Sequence, residues 1–278
     1  MNKKSIKGKI FIYALLIILS IVFLMPLLWM ITTSMMSDNV LYTFPPQFIP
    51  KKIDFSNFSL AINAMPFWRP FMNTLYITIL TIIGVTASGS IVAFGFARLK
   101  FKGKKTLFFI LISTMVLPTQ VTLVPLYMIY RNIGWLNTYK PLIVPAFLGT
   151  PFYIFLLTQF FKTIPKELDE AAYIDGCSTF RVYWNILLPL IKPALVTVVI
   201  FCFLWTWNDF LLPLIFIDDT KKMTLSLALY AFKGNDHYGA RWNLLMSAST
   251  LMMLPCLAIF AFFQKYFIEG TVISGIKG

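Results

Sequence analysis

The chain has 278 residues, of which 58% are hydrophobic and only 13% are charged. Water-soluble domains carry about 25% charged residues, so the composition excludes an ordinary soluble protein and indicates segments that lie in lipid. The net charge of +13 would suit nucleic acid, but the basic residues stand between apolar runs, without a basic helix that carries interleaved aromatic residues. Three widely spaced cysteines and one histidine provide neither a redox pair nor a zinc site.

Six apolar stretches are long enough to cross a membrane, which takes about 20 helical residues each. The first follows a lysine-rich start and lacks a small-residue cleavage site, so we interpret it as a retained anchor rather than a cleaved signal peptide. The sequence therefore predicts an all-α, multi-pass membrane protein that forms a single transmembrane domain over residues 1–278. The predicted spans are 10–33, 71–97, 106–130, 140–161, 189–216 and 243–267, and a structured loop is predicted at 162–188.

The basic residues predict an orientation. The short segment 98–105, RLKFKGKK, has five basic residues in eight, and the segment before the first span is rich in lysine. Short loops with an excess of Lys and Arg face the cytoplasm. Both termini and the loops 98–105 and 162–188 are therefore predicted to be cytoplasmic, and the loops 34–70, 131–139 and 217–242 to lie outside.

The loop 162–188 carries helix signals of its own. Pro165 and the acidic residues after it favour the start of a helix, because proline lacks an N–H and acidic groups suit the positive helix end. Gly176 is a natural helix end, and Ser178 or Thr179 could cap a second helix that leads into the fifth span. The loop is therefore predicted to present a short, ordered helix rather than a plain connector.

One face of this predicted helix is small and allows another surface to approach closely. Leu168, Ala171, Ala172 and Asp175 fall within about 100° of arc at helical spacing. From Glu170 to Pro189 the sequence also has the spacing E-A-A-x3-G-x9-I-x-L-P, with every named position present. This pattern resembles the EAA loop of the permeases of binding-protein-dependent ABC importers.

The resemblance extends over nearly the whole chain. The chain is similar to the sugar-importer branch of this family, which is typified by the smaller permease of the maltose transporter. The segments that carry it are Asn73-Thr74, Phe96-Ala97-Arg98, Pro125-Leu126-Tyr127, Asn137-Thr138, Gln159-Phe160-Phe161, Ile174-Asp175-Gly176, Trp207-Asn208-Asp209 and Gln264-Lys265-Tyr266-Phe267.

The resemblance implies a type I importer permease of the bacterial inner membrane. Such a subunit pairs with a second permease, usually as a heterodimer, and receives sugar from an extracytoplasmic binding protein. Two separate ATPase subunits bind ATP and Mg²⁺ and are expected to dock on the loop 162–188. The residues that the resemblance assigns to this coupling are Glu167, Glu170, Ala171, Ala172, Asp175, Gly176, Ile186, Leu188 and Pro189.

The chain itself lacks the GxxxxGK[ST] motif of a phosphate-binding loop, so we predict no enzymatic activity and no nucleotide, metal or other cofactor in it. A permease for a non-sugar solute remains an alternative. A secondary transporter is a weaker one, because such a protein would carry coupling carboxylates deep in several spans, and Asp209 is the only carboxylate found in a span.

Asp209 therefore leads the candidates for the substrate path, because ionisable groups in spans default to a functional hypothesis. Trp205, Trp207 and Asn208 add the ring faces and the amide that a sugar path would use, and Gln120 is a weaker candidate. The alternative is an aromatic belt at the membrane interface in which Asp209 caps a neighbouring helix. Candidates for contact with the binding protein are Lys233, Asp236, His237 and Arg241, which could equally be merely solvated.

Overall fold

The computed structural model describes residues 3–45, 47–50, 52–233 and 241–275, with side chains from 8 to 264 within those ranges. Every regular element in these ranges is helical, as predicted. A helix satisfies its own backbone hydrogen bonds, which lipid cannot do, so the apolar composition leads directly to this architecture.

The first half of the chain forms eight helices. They are α1 (Lys3–Ser34), α2 (Asp38–Leu41), α3 (Ser56–Ala64), α4 (Trp68–Arg98), α5 (Lys104–Thr114), α6 (Thr119–Asn132), α7 (Lys140–Phe147) and α8 (Pro151–Thr163).

The second half contains shorter pieces and two long helices. They are α9 (Glu167–Ile174), α10 (Thr179–Arg181), a π-helical segment (Val182–Leu187), α11 (Leu188–Leu190), α12 (Lys192–Trp207), α13 (Leu211–Phe216), a 3₁₀ turn (Thr220–Lys222), α14 (Leu225–Lys233) and α15 (Trp242–Gly275).

Four segments of the described chain are long and apolar enough to cross a membrane unaided. They are Gly8–Ser34, Trp68–Arg98, Lys140–Thr163 and Trp242–Gln264. Two bent pairs pass the same test: α5 with α6 at 98°, and α10–α11 with α12 at 74°. Counted as one span each, they bring the total to the six that were predicted.

The predicted spans 106–130 and 189–216 are each bent and broken rather than one straight helix. Pro118 stands before α6 with extended backbone (ψ 136°), and the chain bends there. In the second stretch Ile191 leaves helical geometry, and Pro193 in the first turn of α12 cannot donate a hydrogen bond to the turn before it. This span breaks again after Trp207.

The chain divides into two compact units. Unit 1 consists of Met1–Trp68 and Ala228–Leu254, and unit 2 of Arg69–Leu227 and Pro255–Gly278. The single domain predicted over 1–278 stays a prediction.

In unit 1, none of the most apolar stretch of α1 is buried, whereas its last residues, Thr33 and Ser34, are. Its carboxyl end is fixed by a buried polar network. The side-chain amide of Asn57 donates to the carbonyls of Ser34 (3.0 Å) and Met36 (2.8 Å), and the hydroxyl of Ser247 also donates to the Ser34 carbonyl (3.0 Å). These bonds satisfy carbonyls that the end of a helix leaves without partners.

In unit 2, α4 is the central helix and small residues let its neighbours approach. A Cβ at Gly84 would lie 2.7 Å from the Phe147 ring, and the Ser88 hydroxyl donates to the Ala146 carbonyl at 2.9 Å. Helices in lipid lack a hydrophobic driving force toward one another, so close packing at small residues and hydrogen bonds between helices hold them together instead. A continuous core then joins α4, α8, α9, the π-helical segment and α12 through Ala93, Phe94, Leu157, Phe161, Ala172, Val182, Leu187 and Val198.

Candidate functional site

The helix α9 has the boundaries that its sequence signals predict, within two residues. Three acidic residues occupy its first turn, while Pro165 lies just before Lys166, the N-cap, rather than in that turn. At the other end Gly176 adopts a left-handed conformation (φ +77°). Its N–H donates to the Tyr173 carbonyl (3.1 Å), and the N–H of Cys177 donates to the Ala172 carbonyl (2.9 Å). This pair of bonds is the Schellman motif, which ends a helix sharply.

The predicted small face of α9 is divided in the structure. Ala172 is buried in the core of unit 2, whereas Leu168, Ala171 and Asp175 are exposed. The helix instead buries Asp169 and Ala172, which are three residues apart and therefore neighbours on one side. The coupling candidates that α9 and its turn expose are Glu167, Glu170, Ala171, Asp175 and Gly176.

The exposed side of α9 is also apolar. Ile174 has 86% of its surface exposed, and Leu168 and Tyr173 are exposed by more than 40% each. These large side chains stand on a helix whose opposite side is packed into the core of the same unit. The loop 162–188 thus presents an apolar surface of fixed position with acidic residues beside it.

Beyond the turn, Ser178 caps the next helix as predicted, accepting a hydrogen bond from the Arg181 N–H at 3.4 Å. The following π-helical segment buries Tyr183, whose hydroxyl lies 2.9 Å from the Ser90 hydroxyl of α4. The ring of Tyr183 also packs 5.2 Å from that of Phe94. Among the remaining coupling candidates, Ile186 and Leu188 pack against the core and Pro189 is exposed.

Arg98 and Asp169 form an ion pair that the sequence did not predict. Arg98 Nε lies 3.1 Å from Asp169 Oδ2, and the exposed fractions of the two side chains are only 4% and 12%. Arg98 Nη2 also donates to the Ile164 carbonyl at 2.8 Å, so one side chain holds both α9 and the residues that lead into it. The Nε–H is not aligned for a hydrogen bond, and Asp169 Oδ1 has no hydrogen-bond partner in the described part of the chain.

Burial raises the pKa of Asp169 above its ordinary value, with Glu170 acting in the same direction, and the positive charge of Arg98 offsets only part of the effect. Two features of the sequence could have indicated this pair: Arg98 ends the segment Phe96-Ala97-Arg98, and Asp169 stands three residues before the small apolar residue Ala172. Each residue already had a simpler explanation. Arg98 belongs to the basic loop that predicts a cytoplasmic location, and Asp169 is an acidic residue that suits the first turn of a helix.

Of the substrate-path candidates, the two tryptophans have opposite environments. Trp207 is buried, with 1% of its surface exposed, and its ring stacks on Phe203 (5.2 Å) and meets Phe71 edge-on (5.4 Å). Trp205 is 75% exposed. Only Trp205 therefore offers a ring face to a ligand in this conformation.

The polar path candidates are engaged with nearby backbone. Asp209 accepts a hydrogen bond from the Leu212 N–H at 3.3 Å, which matches the helix-capping alternative for this residue. Asn208 is exposed and donates to the Leu204 carbonyl at 2.8 Å. Gln120 is exposed near the start of α6, and no hydrogen bond in the described chain joins it to this group.

The candidates for binding-protein contact are only partly described. Lys233 places its ammonium 5.7 Å from the centroid of the Trp242 ring. Arg241 is half-exposed and lies 3.7 Å from Asp38. Asp236 and His237 lie outside the described residues.

Two asparagines hold the chain after the fifth span, and we call Asn73, Thr74 and Asn137 the amide clasp. The Asn73 amide donates to the carbonyls of Lys221 (3.0 Å) and Met223 (2.9 Å), and the Thr74 hydroxyl accepts from the Leu225 N–H (2.8 Å). These residues were noted in the sequence only as segments of the resemblance.

Asn137 completes the clasp in a left-handed conformation (φ 57°) that few residue types tolerate. Its side-chain oxygen accepts hydrogen bonds from the N–H groups of Asp218 (3.3 Å) and Asp219 (3.0 Å), and its carbonyl accepts one from the Lys222 ammonium (2.8 Å). The clasp therefore ties residues 218–225 by neutral side chains that bond mostly to backbone.

Comparison with known proteins identifies the family to which the chain belongs. Residues 84–272 match the family described as the binding-protein-dependent transport system inner membrane component. The chain belongs to this family. The match includes the loop 162–188 and the second half of α4, and it makes the chain a multi-pass inner-membrane component of a transport system.

Relatives of this inner membrane component carry permease names. The chain is 35% identical over its full length to a probable ABC transporter permease protein, YurM of Bacillus subtilis, covering 91% of that protein. It is 32% identical to AraQ of the same organism, an arabinooligosaccharide transport system permease, over 82% of this chain and 81% of AraQ. It is 29% identical to DasC of Streptomyces coelicolor, a diacetylchitobiose uptake system permease, over 99% of this chain and 100% of DasC.

A solved structure shows the same fold. The chain superposes with a TM-score of 0.85 and 22% identity on a chain of a bacterial ABC transporter involved in the import of the acidic polysaccharide alginate, covering 96% of this chain and 99% of that one. The inner membrane component thus has the type I importer permease fold. In its described residues no group of three His, Cys, Asp or Glu side chains could hold a metal ion.

Proposed function

We propose that the chain is one of two permease subunits that form the translocation path of an ATP-driven importer for a sugar or oligosaccharide. An extracytoplasmic solute-binding protein delivers the cargo. The relatives support this cargo class, since they are named for arabinooligosaccharides, diacetylchitobiose and starch degradation products. The second permease and two ATPase subunits complete the transporter.

The observation that carries the proposal is the exposed side of α9. An apolar residue as exposed as Ile174, on a helix anchored firmly on its other side, is typical of a surface that another protein covers. Glu170 stands beside it and can pair with a basic residue of the partner. The partner is the ATPase subunit, which binds ATP and Mg²⁺, because this chain lacks a phosphate-binding motif.

The basic residues support the orientation that this docking requires. Both termini and the loop 162–188 lie in the cytoplasm, together with the lysine-rich segment 98–105. Residues 218–225, which the amide clasp holds, then face outward with the rest of the loop 217–242. Lys233, Asp236, His237 and Arg241 are the candidates there for contact with the binding protein.

Within the path, Trp205 is the candidate for stacking on a sugar ring, and Asn208 and Gln120 are the exposed amides near the membrane-spanning helices. Asp209 has a structural role beside the path, since its carboxylate caps the start of α13. Trp207 supports the same region from the core.

The docking surface can be tested by replacing Ile174 with aspartate. The chain is coexpressed with its partner permease and ATPase, and the complex is purified through a tag on this chain. Ile174→Asp is expected to lower the copurifying ATPase at least tenfold without loss of the second permease, because a charge replaces the centre of an apolar contact. Ile49→Asp is the matched control, since Ile49 is 80% exposed in unit 1.

Equal ATPase recovery with Ile174→Asp and Ile49→Asp would contradict docking through α9. The cargo class is tested on the same complex in vesicles with its binding protein, using radiolabelled arabinooligosaccharides, diacetylchitobiose, maltodextrins and a mixture of amino acids. We expect ATP-dependent uptake of at least one saccharide and none of the amino acids. Uptake of amino acids alone would refute the sugar assignment.

A further inference from the structure

The chain path does not offer a stiff connection from α9 to the membrane. The segment that follows α9 leads to α12 through a bend of 74°, with Ile191 outside helical geometry at the bend. A π-helical stretch, Val182–Leu187, precedes the bend. Irregular backbone of this kind is typical of hinges, so motion of α9 passes poorly along the chain into α12.

A second connection runs through α4 and has no such break. This helix is continuous from Trp68 to Arg98. At its carboxyl end Arg98 holds Asp169 of α9 and the carbonyl of Ile164, which lies between α8 and α9. The guanidinium therefore contacts both the helix and its entry, and fixes the position of α9 against the end of α4.

The same helix also holds the far side of the loop. Ser90 and Phe94 of α4, two turns and one turn before Arg98, contact Tyr183 of the π-helical segment. Ala172 packs in the core that these residues share. The loop 162–188 is thus attached to α4 at two places, on each side of the Gly176 turn.

The ion pair is poorly explained as a device for stability. Taking both charges out of water is unfavourable, and an apolar pair of the same size is often as stable. Asp169 also keeps one buried oxygen without a hydrogen-bond partner in the described chain. What the pair does provide is a contact between opposite charges on two helices that are distant in sequence.

We propose that Arg98 and Asp169 form a tie that makes α9 and α4 move as one body, so that ATPase motion reaches the membrane through α4. The inference rests on the proposed function, since it takes α9 as the ATPase docking helix. In this scheme α12 is the passive side of the loop, and its bend accommodates the movement of α4. Arg98 and Asp169 are positioning residues and make no contact with the ATPase or the cargo.

The tie is tested by measuring the distance between α4 and α9 in two nucleotide states. Spin labels are placed at Ile91→Cys on α4 and Lys166→Cys at the N-cap of α9, both exposed positions outside the apolar docking side, after Cys177, Cys202 and Cys256 have been replaced. The assembled transporter is measured by electron paramagnetic resonance without nucleotide and after trapping with Mg-ATP and vanadate. With the tie intact, the two distance distributions are expected to coincide.

Breaking the tie requires a variant that still folds. Arg98→Met alone leaves Asp169 as a buried unpaired charge, so the informative variant is the neutral pair Arg98→Met with Asp169→Asn. We expect it to retain the ATPase and its thermal stability while trapping shifts the α4–α9 distance by at least about 2 Å, the size of a typical helix shift. Lys100→Met removes an exposed charge two residues from Arg98 and is expected to behave like the unaltered chain.

Two results would overturn the tie. One is a nucleotide-dependent distance in the unaltered chain, and the other is a neutral pair whose distances coincide in both states. If the labelled complex with its native Arg98 and Asp169 recovers no ATPase, the proposed function fails and the tie fails with it. Recovery of the ATPase together with either of the two distance results refutes the tie alone.

Discussion

The two ends of α4 are held to the rest of unit 2 by different chemistry. Near its start, Asn73 and Thr74 belong to the amide clasp, which uses neutral side chains that bond to backbone groups. At its end, Arg98 contacts Asp169 through buried opposite charges. Twenty-five residues separate Asn73 from Arg98, or about 37 Å at 1.5 Å per residue.

The difference between the two ends matches two tasks. Each hydrogen bond of the clasp has a fixed direction, and together they specify one conformation of residues 218–225, which suits a surface that must keep its shape. The ion pair joins two helices that are 71 positions apart in the sequence, so that α9 and the end of α4 move together as one body. The start of α4 thus holds residues 218–225 in one conformation, and the end of α4 follows the movement of α9.

The largest effect is expected at the clasp. Asn137→Ala removes an acceptor for two backbone N–H groups and leaves a residue with a Cβ in a left-handed conformation. We expect a loss of about 2–4 kcal/mol in the stability of this region, from the backbone strain and the lost hydrogen bonds together. The measurement is the rate of tryptic cleavage after Lys221 and Lys222 in the reconstituted protein.

Asn137→Gly is the control that separates the two causes. Glycine adopts φ 57° without strain, so only the hydrogen bonds are lost and cleavage is expected to accelerate less than in Asn137→Ala. If cleavage accelerates equally in both variants, backbone strain at position 137 contributes nothing to the effect of Asn137→Ala. No acceleration in either would show that the clasp does not restrain residues 218–225.

An intermediate effect is expected at the turn beside α9. Gly176→Ala places a Cβ at φ +77°, where strain costs about 1–2 kcal/mol although no atom lies within 4 Å of the new methyl group. The strain shifts the turn and the direction of α9, so ATPase recovery in copurification is expected to fall several-fold while the second permease remains. Gly95→Ala adds the same methyl group in open space inside α4, where alanine favours the helix, and is expected to leave recovery unchanged.

If Gly95→Ala lowers ATPase recovery as much as Gly176→Ala does, the effect comes from the added methyl group rather than from the turn. If neither variant changes recovery, the Schellman turn does not direct α9. Either result would weaken the assignment of separate roles to the Gly176 turn, which directs α9, and to the ion pair, which ties α9 to α4.

The sequence predicted those features that depend on hydropathy and local backbone signals. The six spans follow from runs of about 20 apolar residues, and the end of α9 follows from Gly176. The bends of 98° and 74° were not predicted, because a proline in lipid permits a kink without setting its angle, which packing decides. Pro118 and Pro193 mark the places but not the geometry.

Side-chain roles were harder to predict than helices. In α12 nearly every residue is apolar, so no periodicity distinguishes Trp207, which is buried, from Trp205, which is exposed. Asp169 was missed because an acid in the first turn of a helix already has a local explanation. Its partner Arg98 is 71 positions away, and one sequence cannot show that the fold brings the two together.

The smallest effect is expected from pH on the melting temperature. It distinguishes the charged end of α4 from the neutral end most directly. Burial raises the pKa of Asp169 above its ordinary value of 3.8, so the folded state binds a proton more readily than the unfolded state. The stability from this group is therefore complete below about 3.8 and is lost as the pH rises through the raised value. Lowering the pH from 7 toward 4.5 is expected to raise the melting temperature of the unaltered chain slightly relative to Asp169→Asn.

Asp54 provides a control of the opposite sign, because hydrogen bonds from Ser56 lower the pKa of its carboxyl. Its stabilisation is complete above the ordinary pKa of 3.8 and is lost as the pH falls through the lowered value, so Asp54→Asn should keep its difference from the unaltered chain down to pH 4.5 and approach it only below about 3.8. Asn73 and Asn137 do not titrate, so Asn137→Gly should keep a constant difference from the unaltered chain over the same range. A pH-dependent difference for Asn137→Gly, or none for Asp169→Asn, would remove the distinction between a neutral and a charged end of α4.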